Sequence, residues 1–246
     1  MIRAAIFAAA LVTAGTTAGA VSCTAQDYQG ARYTICEVDA AREKIELFLK
    51  DPRGEVFGQF TNIDRHLATK GEALVFAMNA GMYHDDRAPV GHYVEDGQEI
   101  MRVIPNAGPG NFGLLPNGVL CLRPGRADVI ETQAFLAAAP DCTDATQSGP
   151  MLVIDGALHP RFLKDGTSKF IRNGVGTSAD GRRAVFVISD QPVNFYTFGS
   201  FFRDALGVPN ALYFDGKVSR LYAPQLNRSD FGFALGPIVG VVEPTR

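Results

Sequence analysis

Two aspartates stand where a chemical site is most easily built. Asp190 closes the apolar run AVFVIS, and Asp215 closes the run ALYF. Short apolar runs rich in β-branched and aromatic residues read as strands buried on both faces. A carboxylate just past such a strand sits on a rigid element yet reaches the cleft beyond the strand end, where α/β sheets bind ligands. Arg172 opens the same stretch, so two acids and one base can gather around one pocket. Arg172 then either meets an anionic substrate or forms a buried ion pair with one of the aspartates. The local alternative for the acids is turn formation, because Asp215-Gly216 is an ordinary turn pair.

Other residues invite the same question. Asn79 follows the apolar run ALVFAM and precedes Ala80-Gly81, a pattern for a tight turn from which an amide can point into a pocket. His84, Asp85, Asp86 and His92 raise a metal site. The two histidines are separated by a loop and a proline, and lack the i, i+4 spacing that fixes ligands on one helix face. The expectation is a solvated loop with one histidine facing the cleft, with neither metal nor cofactor. Ser148 lies outside any G-x-S-x-G elbow, so it reads as a turn former and hydroxyl donor, not as a nucleophile. The glycines between 108 and 118 lack the Gly-Lys-Ser/Thr of a phosphate-binding loop.

The elements that must position these residues are mostly short strands. Residues 31–38 and 44–49 read as a hairpin, and 73–78 as a buried strand. A second hairpin, 90–95 with 98–103, crosses Asp96-Gly97. Residues 112–115 turn back through Pro116-Asn117-Gly118 into 119–122, and a further hairpin crosses Asp180-Gly181. Residues 218–222 and 232–242 read as late strands. Helices are expected over 62–69, 132–139 and 194–206, the last capped by Asn194, stopped by Gly207 and carrying Phe198, Phe202 and Ala205 on one face. The pattern predicts an α+β (mixed α/β) fold, a single domain of mixed β-sheet with a few flanking helices.

The 246 residues carry a net charge of −3, which offers no basic field for nucleic acid or an anionic membrane. Residues 1–20 read as a signal peptide, with Arg3, an apolar run and Ala18-Gly19-Ala20 as the cleavage site. The mature domain is then 21–246, periplasmic or secreted, with no membrane span expected in it. Export places all four cysteines in an oxidising compartment. Short loops favour Cys23–Cys36 and Cys121–Cys142 among the three possible pairings.

MNAGMY (78–83), SGPML (148–152), RNGVG (172–176), VISD (187–190) and LYFDGKVS (212–219) follow one another across most of the mature chain. In that order they resemble the phosphodiester glycosidase family, and the chain is most similar to a bacterial secreted branch of it. The resemblance implies a mixed α/β domain that hydrolyses a sugar-1-phosphodiester, with a carbohydrate or glycan-phosphate as substrate. Asn79 and Gly81 match the family's Asn-x-Gly turn, Ser148 and Gly149 its Ser-Gly-Pro, and Arg172 with Asn173 its arginine motif. Asp215, Gly216 and Ser219 match its Asp-Gly-Gly-x-Ser-like motif. One departure stands out: Lys217-Val218 occupies the place of a glycine-rich run.

On that reading Asp190 or Asp215 activates water or stabilises the oxocarbenium-like centre, and Arg172 neutralises the phosphodiester. Asn79 and Ser148 hydrogen-bond sugar hydroxyls, and His84 or His92 donates a proton. Two other classes compete with it. One is a non-catalytic envelope or carbohydrate-binding protein on the same fold. The other is a metal-dependent phosphodiesterase using His84, Asp85, Asp86 and His92.

Overall fold

The computed structural model describes residues 21–245, so the expected leader at 1–20 lies outside the described residues. Seventeen strands and three α-helices are present among them, and every strand pairing is antiparallel. The architecture is α+β, built from three sheets.

The first sheet runs β1 (Ser22–Tyr28), β2 (Ala31–Asp39), β13 (Arg183–Ser189), β12 (Asn173–Thr177), β14 (Asn210–Asp215), β10 (Met151–Ile154), β11 (Ala157–Leu158). The second runs β16 (Arg228–Ser229), β15 (Leu221–Ala223), β4 (Glu72–Asn79), β17 (Ile238–Pro244), β3 (Lys44–Phe48). The third runs β6 (Gln98–Met101), β5 (Tyr93–Glu95), β9 (Asp144–Ser148), β7 (Gly118–Arg123), β8 (Arg126–Glu131).

The period of two along each strand explains the packing. Phe186, Ile188, Leu212 and Phe214 join residues of the other two sheets, among them Met78, Leu120 and Val239, in one shared core. The alternate residues Val185, Val187, Ala211 and Tyr213 pack on the opposite face with Phe198, Phe201 and Phe202. That second layer belongs to α3 (Phe195–Ser200), which continues as a single π turn through Phe201–Ala205. α1 (Phe60–Ala68) covers the second sheet through Phe60, Ile63 and Leu67, and α2 (Thr132–Ala138) presents Phe135 to the third. Each sheet thus buries its inner face in a common core and carries one helix outside.

Two expectations need correction. Residues 31–38 and 44–49 do not form a hairpin: β2 lies between β1 and β13, and β3 pairs with β17 in another sheet. The first hairpin is instead β1–β2 across Gln29 and Gly30, both at positive φ (47° and 78°), the geometry that matches strand twist. Residues 112–115 form no strand, and β7 turns back into β8 instead. Both disulfides form, Cys23–Cys36 and Cys121–Cys142.

Candidate functional site

The geometry starts from strand direction. β13 and β14 each run antiparallel to β12, so they run the same way, one on either side of it. Their last residues therefore flank the first residue of β12: Asn173 pairs with Ile188 on one side and Asp215 on the other. Asp190, Asp215 and the Arg172-Asn173 pair gather at one edge of the first sheet.

Adjacent residues on a strand face opposite ways, and this separates Arg172 from Asn173. Asn173 points inward and is fully buried against Asn79 at the end of β4. Its Nδ2 donates to the Asn79 main-chain oxygen at 3.0 Å and to Asn79 Oδ1 at 2.9 Å. Asn79 Oδ1 also accepts from the Arg220 amide at 2.9 Å, and Asn173 Oδ1 accepts from the Asp215 amide at 3.2 Å. Two buried amides thus tie the second sheet to the turn at 215–220. Satisfied buried amide networks of this kind specify one arrangement. Both side chains are spent on each other and on backbone, so they position the turn and leave little for sugar hydroxyls.

Asp215 is half-buried at the head of that turn. Its Oδ1 accepts from the amides of Gly216 at 2.5 Å and Lys217 at 2.8 Å. Burial raises its pKa, opposed by the amides of Lys217, Gly216 and Val218 and by the Lys217 charge. Ser219 Oγ lies 2.8 Å from the Asp215 main-chain oxygen and 3.0 Å from that of Ile171, closing the turn. A β-carbon on Gly216 would run into the Tyr213 hydroxyl, which explains glycine there. Tyr83, its hydroxyl donating to Ala234 O at 3.2 Å, feels the Asp215 charge: burial raises its pKa first and Asp215 raises it further.

Arg172 points outward and is fully buried. Nε donates to Val193 O and Nη2 to Ser168 O, both at 2.9 Å. Its guanidinium carbon lies 3.6 Å from the centre of the Phe195 ring, within cation–π range. Of the two readings of Arg172, the buried ion pair with an aspartate is not formed: among the described residues no carboxylate lies within bridging distance of it. Strand alternation accounts for Asp190, which continues the inward-facing set of Phe186 and Ile188, while Asp215 is held by the amides of its own turn. Burial without an anion lowers the Arg172 pKa. Arg172 Nη1 and the Tyr213 hydroxyl are buried beside one another, and burial raises the Tyr213 pKa while the Arg172 charge opposes the rise.

Asp190 is held elsewhere on the same edge. Arg228 Nη1 donates to its Oδ1 at 2.8 Å, and Thr34 Oγ1 lies 3.2 Å from both carboxylate oxygens. Arg228 also grips Asp230, at 3.0 Å through Nη2. This ion-pair set joins the first sheet to β16 and already neutralises Asp190.

Ser148 is buried, its Oγ donating to Phe214 O at 3.1 Å, so it braces β14 one residue before Asp215. A β-carbon on Gly149 would fall 2.7 Å from that of Asn117, and one on Gly81 (φ 151°) would lie 3.1 Å from Thr146 Oγ1. These two glycines serve close packing behind the site. His84 lies in the exposed turn 84–88. His92 is not brought to the group: its ring is buried, with Nδ1 3.0 Å from Met101 O and 3.5 Å from Glu99, and burial lowers its pKa. Among the described residues no set of three His, Cys, Asp or Glu side chains converges as metal ligands.

Sequence reasoning passed over Tyr213, Arg220 and His159. Tyr213 reads as a core aromatic, and only the turn geometry at Gly216 reveals its hydroxyl. His159 is buried and stacks on Phe162 (4.8 Å), which stacks on Phe195 (5.0 Å), completing the aromatic support of Arg172. A cavity of about 620 Å³ lies elsewhere, around Arg42, Lys44, Asp96, Arg123 and Asp144. It holds charges of both signs and none of the motif residues, so its size does not make it the chemical site.

Comparison with known proteins bears on this group directly. The family model described as phosphodiester glycosidase matches residues 72–238, which contain Asn79, Arg172, Asn173 and the 215–220 turn. Uncharacterized protein YigE of Escherichia coli (strain K12) is 34% identical over 185 residues, covering 75% of this chain and 72% of its own. The catalytic domain of zebrafish N-acetylglucosamine-1-phosphodiester α-N-acetylglucosaminidase, solved auto-inhibited by its pro-peptide, superposes with a TM-score of 0.60 at 14% identity. That alignment covers 90% of this chain and 81% of the zebrafish one. A putative exported protein from Burkholderia pseudomallei K96243 gives 0.54 at 11% identity, covering 86% and 74%. The two structural likenesses show a shared fold, and the family match with the E. coli relative carries the assignment: the chain belongs to the phosphodiester glycosidase family.

Proposed function

We propose that this protein is an extracytoplasmic hydrolase that cleaves the bond between a sugar's anomeric carbon and a phosphodiester. The observation that supports it most is the buried Arg172 guanidinium, which no carboxylate neutralises, beside the Tyr213 hydroxyl and beneath the turn that carries Asp215. A buried charge is ordinarily paired, so an unneutralised guanidinium beside a half-buried carboxylate favours an anionic ligand. A phosphate oxygen fits that description. Phe170, 43% exposed and stacked 5.5 Å from the Arg172 guanidinium, is the side chain whose movement opens the donors.

In the reaction the bond from the anomeric carbon to the phosphate oxygen breaks and the oxygen of water joins that carbon. The products are a free sugar and a phosphomonoester. Phosphate leaves readily as an anion, so the acid half of the usual carboxylate pair matters less. Asp215 acts as the carboxylate, as base or nucleophile. Arg172 and Tyr213 stabilise charge on the departing phosphate, and electrostatic help of this kind is often the largest catalytic term. Asn79, Asn173, Ser148 and Ser219 hold the Asp215 turn, while Asp190 holds β13 to β16 through Arg228. The two disulfides support a location outside the cytoplasm, and the Burkholderia structural neighbour is itself described as a putative exported protein.

The test is hydrolysis of a panel of sugar-1-phosphodiesters in ¹⁸O-labelled water by residues 21–246, with and without EDTA. The glycosidase reading expects ¹⁸O in the sugar and activity that survives EDTA. Label in the phosphate, with activity lost to EDTA, would show a metal-dependent phosphodiesterase instead.

A further inference from the structure

Eight large apolar side chains stand exposed on the described surface, and four of them sit on two segments that bracket the 215–220 turn. Phe231 is 87% exposed and Phe233 is 83% exposed; Phe170 and Ile171 are 43% and 40% exposed. Scattered exposed apolar residues need no explanation, but a cluster beside a candidate site does.

The first segment is rigidly seated. Gly232 lies so close to Arg220 that a β-carbon there would come 2.9 Å from Nη2 and 3.0 Å from the guanidinium carbon. Gln59 Nε2 donates to Gly232 O at 2.8 Å, Arg220 Nη2 donates to Phe233 O, and Tyr83 donates to Ala234 O. Three hydrogen bonds therefore hold the backbone from behind while both phenyl rings are exposed. The second segment is tied to the same turn through Ile171 O and Ser219 Oγ. The turn that both segments contact carries the exposed Lys217, the residue that stands in place of a glycine-rich run. An exposed positive charge and two exposed apolar segments thus share one turn.

Resting on the glycosidase reading above, we propose that the phosphate-linked alcohol of the substrate is apolar: a sugar-1-phosphate esterified to a long alkyl or isoprenyl chain. Lys217 meets the phosphodiester at its outer side, and the chain lies along Phe231 and Phe233. The continuity of the apolar cluster with the Asp215 turn favours a substrate chain as the occupant over a separate partner. Each buried methylene strengthens binding several-fold, so a chain lying on two phenyl rings gains at least an order of magnitude over a methyl group.

The experiment compares the methyl and octyl esters of one sugar-1-phosphate, together with calorimetric binding of methyl phosphate and octyl phosphate, in wild type and in the double variant Phe231→Ser/Phe233→Ser. Both side chains are exposed, so the variant should keep the wild-type thermal midpoint. The expected octyl-to-methyl ratio, in kcat/KM and in affinity, is at least tenfold for wild type and under threefold for the variant. If neither ester turns over but octyl phosphate still binds tenfold tighter through these residues, the apolar subsite stands and the glycosidase reading falls. Equal affinity for the two chain lengths in wild type overturns the proposal. So does a result in which the variant loses only binding to phosphatidylcholine vesicles, which would make the two rings a membrane anchor.

Discussion

Replacing Asp215 by Asn separates chemistry from architecture. The carboxylate Oδ1 accepts the amides of Gly216 and Lys217 at 2.5 and 2.8 Å, and an Asn Oδ1 can accept both. The turn, and the Asn173 bond to the Asp215 amide, therefore survive. Stability should change by less than about 1 kcal/mol, and in the favourable direction at neutral pH, because the substitution removes a carboxylate whose pKa burial has raised. Activity should fall steeply. A positioned acid–base group is worth roughly 10²–10⁴ in rate, which is about 2.7–5.4 kcal/mol of transition-state stabilisation. Asp215 works ionised, so wild-type kcat/KM should fall as pH drops through its raised pKa, on a limb displaced upward from the ordinary Asp range. That limb should vanish in the variant. The assay is free-sugar release from a sugar-1-phosphodiester across pH 3–9, with the thermal midpoint followed in parallel. Asp190→Asn is the control: its carboxylate is engaged by Arg228 and Thr34, so the change should lower stability by about 1 kcal/mol and keep more than a tenth of the activity. An Asp215→Asn protein with more than a tenth of wild-type kcat/KM, or an Asp190→Asn protein that has lost turnover at unchanged stability, would refute the assignment.

Asn173→Ala leaves the Asp215 amide and the Asn79 side chain short of partners inside the molecule, and should cost about 2–3 kcal/mol in urea unfolding besides lowering kcat. Glu95 and Asp144 are carboxyls whose pKa values burial pushes up, to about 7 and about 6. The folded state then binds more protons than the unfolded one, so the stability they contribute is complete near pH 4 and lost as pH rises towards 7. Glu95→Gln should match wild type at pH 4 and exceed it at pH 8, by at most about 3 kcal/mol, as chemical denaturation at the two pH values will show. Reduction of the disulfides, with sequence separations of 13 and 21, should lower stability by about 3 kcal/mol for each bond, measured by thermal unfolding with and without reductant.

The strands that end in Asp190 and Asp215, the α3 cap at Asn194, the Asp96-Gly97 hairpin and both disulfides are legible in the chain because each rests on local chemistry. Asn194 Oδ1 accepts from the Thr197 amide at 2.8 Å, and the apolar runs 184–188 and 211–214 are buried throughout. The parts that escape are set by distant partners. β9 reads DATQS, without an apolar run, yet every residue of it is buried because β5 and β7 flank it on both sides. Its Gln147 is satisfied by Ile104, His92 and Thr132, between 15 and 55 positions away in sequence. His92 illustrates the converse error. A histidine in a loop after Gly91 looks available, but its ring is buried between Met101 O and Phe135.

The consequence reaches the site through one step of strand parity. Arg172 and Asn173 are neighbours in sequence, and a single pocket lined by both is the natural reading of RNGVG. On β12 they face opposite sides of the sheet. Asn173 enters the shared core and meets Asn79, 94 positions away, while Arg172 enters the α3 layer and meets Phe195. Asn173 can therefore fix the backbone of Asp215 without competing for substrate. Arg172, with no carboxylate in bridging distance among the described residues, keeps an unneutralised charge behind Tyr213 and Gly216. The order Arg then Asn is what allows one strand end to hold a structural amide on one face and a free cation on the other, with Asp215 between them.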